Sequence, residues 1–122
     1  MNDRKYYGGF RKLIAWQEAR KLTKMIYKYT QSFPPEERYG LTDQLRRAAS
    51  STDGQIAEGS RMPTKKHRKL YYDRAYASAA EVDCFLELAL DLKFLPPATY
   101  KDLLQKVNAV SYLTHKLSQS CH

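Results

Sequence analysis

The stretch TKKHRKLYYDRAYASAAEVDCFLELALDLKFLPP, residues 64–97, decides the fold. Apolar or small residues recur in it at Tyr71, Ala75, Ser78, Val82, Phe85, Ala89 and Leu92. Steps of three and four place them along one side of an α-helix. The pattern starts near Pro63-Thr64 and must stop before Pro96-Pro97, because proline lacks an amide donor and clashes with the preceding turn. At 1.5 Å per residue the helix is about 45 Å long. Leu86, Leu90 and Phe94 form a second apolar strip beside the first, with Tyr72 and Tyr76 nearer its start. A helix in a small bundle should expose one polar face. The second strip is therefore either extra core or an interface between copies of the chain.

Three more helical patterns flank this one. Phe10, Leu13, Trp16, Ala19, Leu22, Ile26 and Tyr29 share a face, and Ser32-Phe33-Pro34-Pro35 ends that helix. Leu41, Leu45, Ala48, Ala49, Thr52 and Ile56 make the next, with Thr42 as its expected N-cap and Gly59 as its C-terminal stop. Asp53-Gly54 lies inside that helix. The apolar spacing stays in phase across it, so it reads as a weak point costing about 1 kcal/mol relative to alanine. The last helix is expected from Thr99, with Asp102 completing a capping-box-like pair, through Tyr100, Leu103, Leu104, Val107, Val110, Thr114 and Leu117. Residues 1–9 read as a mobile arm ending at Gly8-Gly9. Short connections make neighbouring helices antiparallel. The expectation is one all-α domain over 1–122, an antiparallel up-down four-helix bundle with helices at about 10–32, 42–59, 64–94 and 99–119.

A chain of 122 residues, 43% apolar and 28% charged, can bury a core without disulfides or metal. The first residues lack a signal-peptide pattern, and no apolar run approaches the roughly 20 residues of a membrane span. The expected location is the cytoplasm, with no membrane partner. Cys84, beside Phe85, reads as a small buried hydrophobe, and Cys121 lies in the tail.

Chemistry is sparse. His67, His115 and His122 have no partner at a metal-ligand spacing, and no glycine-rich phosphate loop occurs. No catalytic residue, metal or cofactor is expected, and the chain reads as a non-enzyme. Glu58 and Glu81 fall in apolar patterns and are expected to pair with Arg46, Arg47 or Arg74, since an unpaired buried carboxylate costs several kcal/mol.

The net charge of +8 is uneven: +6 over residues 1–30, −2 over 31–60, +5 over 61–74 and −1 over 75–122. Lys21, Lys24 and Lys28 form a stripe on the first helix. Arg61, Lys65, Lys66, His67, Arg68 and Lys69 crowd the start of the third, where the positive end of the helix dipole disfavours cations. A cluster that opposes local stability points to an external anion, and phosphate is the common one. Tyr72 is the expected ring for stacking on unpaired bases. The alternatives are an acidic protein partner and a merely solvated basic face.

Four segments carry a resemblance: Leu13-Ile14-Ala15-Trp16-Gln17-Glu18-Ala19, residues 33–41 (FPPEERYGL), residues 44–51 (QLRRAASS) with Ile56-Ala57-Glu58-Gly59-Ser60, and residues 77–82 (ASAAEV). Together they resemble the four-helix bundle proteins first noticed as reading frames in intervening sequences of bacterial 23S ribosomal RNA genes. The resemblance implies an up-down bundle assembled as a homo-oligomer, commonly a pentamer. It also implies kinship with the accessory protein of diversity-generating retroelements, which works with a reverse transcriptase and RNA through a basic outer surface. It implies no enzymatic activity and no catalytic residues. The departure is at Asp53 and Gln55, where the family usually has proline and asparagine.

Overall fold

The computed structural model describes residues 9–121. The arm expected at residues 1–9 therefore lies almost wholly outside the described residues. A 3-10 turn, Gly9–Lys12, leads into α1 (Ile14–Thr30); α2 (Leu41–Ser60), α3 (Lys65–Asp91) and α4 (Pro97–Gln119) follow, and a second 3-10 turn, Pro35–Glu37, lies in the first connection. No strand occurs among the described residues.

Side-chain pairs fix the directions. Thr23 meets Asp53 while Thr30 meets Arg46, so α1 and α2 run antiparallel. Gln55 accepts from Ser78 and Gly59 abuts Tyr72, which orients α3 against α2. Ser118 bonds Asp73 and His115 meets Tyr76, orienting α4 against α3. Each helix packs on its two sequence neighbours or, for α1 and α4, on one another; α1 and α3 lie across the diagonal.

Leu22, Ile26, Leu45, Ile56, Val82, Leu86, Leu103, Val107 and Val110 fill the centre, with Ala19, Ala49, Ala75, Ala79 and Ala89 fully buried among them. At about 25 cal/mol per Å² of apolar surface, each large side chain contributes roughly 1.5–3 kcal/mol. Buried hydroxyls bond within their own helix: Thr23 to Ala19 O (3.1 Å), Thr52 to Ala48 O (2.9 Å) and Thr114 to Val110 O (2.7 Å). Among the described residues no buried side-chain polar atom lacks a partner, so the interior holds no group waiting for a ligand.

Several local expectations change. Gly40, not Thr42, stands at the N-cap of α2; Thr42 is buried inside the helix. The Glu37 carboxylate does the capping, accepting from the Leu41 amide at 3.0 Å. The last helix starts at Pro97, two residues before Thr99, because proline at the first helical position needs no amide acceptor and has φ preset. Gly59 does not stop α2. It lies beneath the Tyr72 ring, where a Cβ would sit 2.8 Å from Tyr72 Cε1.

The strip assignments on α3 shift as well. Steps averaging 3.5 residues drift about 20° per seven residues on a straight helix. From Tyr71 the stripe has turned out of the core by Leu92, which is exposed. Leu86, assigned to the second strip, is instead 1% exposed at the core centre. Phe94 meets the Phe33 ring at a tilt, centroids 5.5 Å apart, and Leu90 is half-buried beside Pro96 and Pro97. The three do not form a continuous exposed strip. Leu88 near the end of α3 and Leu92 just past its last residue are the large apolar side chains exposed there. Cys84 is exposed rather than buried, since it sits on the outer face one step from Phe85.

Candidate functional site

The starts of α1 and α3 and the ends of α2 and α4 meet at one end of the bundle, here called the basal end. The half of the molecule nearest it, residues 9–21, 51–77 and 109–121, holds eleven Lys/Arg and four Asp/Glu. The opposite half holds eight of each. The entire excess positive charge of the described residues thus sits in the basal half. Neither α1 nor α3 carries an acid in its first turn, so two positive helix-dipole ends add to the field.

The basal acids are largely engaged. Glu18 accepts from Lys106 and salt-bridges Lys21, both at 3.0 Å, and the Lys106 hydrogen bond foremost holds its carboxyl below the usual range. Asp73 accepts from Ser118, which, ahead of Lys69, lowers its pKa against the opposing effect of desolvation. Asp53, 5% exposed, is held by Thr23 Oγ1 at 2.8 Å and Arg20 Nε at 3.3 Å. Among the described residues this is the buried acid. Glu58 and Glu81, expected in that role, are exposed on outer faces, and among the described residues no ion pair joins either of them to Arg46, Arg47 or Arg74. Asp53-Gly54 does not break α2; a carboxylate bonded across to α1 stands where the family pattern has proline.

The cations expected at the start of α3 come together at this end. Lys65 and Lys66 are exposed, and Arg61 follows the last residue of α2. Lys69 donates to Asp73 and to Ser118. Arg68 is committed to the connection, donating to Met62 O at 3.0 Å. Lys66, Lys69 and Leu70 line an open hollow of about 440 Å³ with His67 and Asp73.

The stripe on α1 does not join them. It lies on the diagonal helix; Lys21 is tied to Glu18, and Lys24 and Lys28 sit in the opposite half, Lys28 over the Tyr29 ring. Tyr72 is corrected too. It is 4% exposed, burial raises its pKa, and it has no face to offer a base.

Topology supplies residues that the local pattern did not. Lys12 and Lys116 line a second hollow of about 350 Å³ between the start of α1 and the end of α4, together with Ile14 and Leu113. Among the described residues no ion pair engages Lys12, Lys66 or Lys116. Between the two hollows runs the outer face of α4, where Tyr112 is 62% exposed and His115 stacks obliquely on the 46% exposed Tyr76, ring centroids 5.7 Å apart. Lys12 and Lys116 lie far from the charge cluster in sequence, so only the fold brings them to it.

No group of three or more His, Cys, Asp or Glu among the described residues could hold a metal ion. Among the same residues, no helix is long and apolar enough to cross a membrane.

The family model described as 23S rRNA-intervening sequence protein matches residues 11–116. The chain belongs to that family. A crystal structure titled as a protein with unknown function from the S23 ribosomal protein family, from Bacteroides thetaiotaomicron, superposes with a TM-score of 0.78. The match covers 86% of this chain and 98% of that one at 13% identity, a level that shows a shared fold alone. Comparison with curated proteins finds no match. For this member of the 23S rRNA-intervening sequence proteins, nothing in the site or the comparisons points to catalysis.

Proposed function

We propose that this chain is a non-enzymatic, homo-oligomeric protein of the cytoplasm that binds nucleic acid, RNA or DNA, through the basal end of its bundle. One observation carries the reading: all the excess positive charge of the described residues lies in the half around that end, on side chains from all four helices or the turns that flank them. Neutralised phosphates release counterions, and a field of this kind binds polyanions without needing a deep pocket. Arg61, Lys65, Lys66 and Lys69 contribute from the second connection and α3, and Lys12 and Lys116 from the other side. The exposed Leu88 and Leu92 support a protein contact at the opposite half, with another copy or with a protein partner such as a reverse transcriptase.

The test compares two charge-reversal variants of the full chain. Lys12→Glu/Lys66→Glu/Lys116→Glu should abolish binding of a mixed-sequence RNA or DNA oligonucleotide at low salt. Lys24→Glu/Lys28→Glu, on the diagonal helix and in the other half, should retain most of it. Equal losses in both variants would refute the basal assignment, and an unmodified protein that binds neither RNA nor DNA would refute the proposal outright.

A further inference from the structure

An exposed aromatic ring in the basic half of a bundle has a specific use that a solvated basic face does not need. Tyr112 buries little of itself and contributes little to the core. It projects from α4 one turn before His115, whose ring lies against Tyr76 of α3. This aromatic strip shares the basal half with the hollow on α3 that holds Lys66 and Lys69 and with the hollow between α1 and α4 that holds Lys12 and Lys116. Asp73, one turn before Tyr76 on α3, has its charge taken up by Ser118 and Lys69. A double helix offers phosphates and groove edges to such a surface but keeps its base faces stacked inside. A single strand offers both phosphates and open base faces, and stacking on aromatic side chains tolerates any sequence.

We infer that the nucleic acid taken at the basal end is single-stranded, with bases stacking on Tyr112 and on the Tyr76–His115 pair and phosphates lying along the flanking lysines. The inference rests on the proposed nucleic-acid function and narrows it to one strand state.

The experiment measures fluorescence anisotropy of labelled oligonucleotides of about 12 residues, within the usual span of a single-strand site. Single-stranded RNA, single-stranded DNA and the matching DNA duplex are titrated with the full chain at low salt. Single strands should bind about tenfold tighter than duplex, and the RNA and DNA arms report any sugar preference. Tyr112→Ala should weaken single-strand binding by about tenfold with the salt slope unchanged, and leave duplex binding as it was. Tyr112→Phe, which keeps the ring, should bind like the parent. Tyr112 is exposed, so these variants should fold, and circular dichroism checks that they do. Duplex binding as tight as single-strand binding, or a Tyr112→Ala variant indistinguishable from the parent while Lys66→Glu and Lys116→Glu still weaken binding, would overturn the stacking inference and leave the nucleic-acid reading standing. Absence of binding to all three probes would overturn both.

Discussion

Replacing Arg20 by Met should cost this bundle about 2 kcal/mol, and about three quarters of that cost should vanish when Asp53 is changed first. The Asp53 carboxylate is 5% exposed, and its charged partner is Arg20, 51% exposed, at 3.3 Å. At an effective dielectric constant of about 20 the pair attracts by about 5 kcal/mol. Exposure of the guanidinium screens much of that, leaving roughly 2 kcal/mol. The two sides of the pair are unequal. Without Asp53, Arg20 returns to water and Thr23 gives its one hydroxyl proton wholly to Ala19 O. Without Arg20, a charge is stranded with one hydroxyl donor. Arg20→Met keeps an aliphatic stem beside Trp16 and should lower Tm by about 6–8 °C, at roughly 3–4 °C per kcal/mol for this chain length. Asp53→Asn keeps the Thr23 bond and should cost about 1 kcal/mol. The double variant should cost little more than Asp53→Asn alone, a coupling of about 1.5 kcal/mol. The cation–π contact between Arg20 and Trp16 is lost in both Arg20 legs and cancels from the cycle. Urea unfolding followed by circular dichroism measures all four forms. Additivity within about 0.5 kcal/mol would refute the assignment of Asp53 as a buried charge held by Arg20.

Two other sites test the packing. Gly54→Ala should stabilise by about 0.5–1 kcal/mol, since a Cβ there meets nothing within 4 Å, whereas Gly59→Ala should destabilise by about 1–3 kcal/mol by pushing Tyr72 off α2. Thermal melts that moved both variants in the same direction would contradict the model of Tyr72 lying on Gly59. Lys93 holds φ 63° to close α3, with the Phe94 amide on Ala89 O and the Lys93 amide on Leu90 O. Lys93→Gly relieves a left-handed residue and should raise stability by about 1 kcal/mol, so an unchanged or lower melting temperature would count against that end motif.

Helix positions were legible because each helix buries one apolar stripe, and proline marks each of the three connections. The finer errors have physical causes. A strict 3.5-residue spacing placed Leu92 inside, but the helix turns it out and brings Leu86 in. Thr42 looked like a cap, but Glu37 reaches the free amide first, from the 3-10 turn. Burial of Tyr72 depends on the missing side chain at Gly59, a contact between two helices. The charge cluster from Arg61 to Lys69 was readable as a local run. Lys12, Lys116, Tyr112 and His115 were not, since antiparallel folding alone carries the start of α1 and the end of α4 to the same end as that run.

The most direct measurement is the salt dependence of binding between the unmodified chain and a single-stranded oligonucleotide. If Lys12, Lys66 and Lys116, which no ion pair engages among the described residues, each neutralise a phosphate, log K against log salt should fall with a slope of about −2, or about 20-fold in affinity for a fourfold rise in salt. A slope near zero, or no binding at the lowest salt, would contradict the claim that the basal end is a polyanion-binding surface.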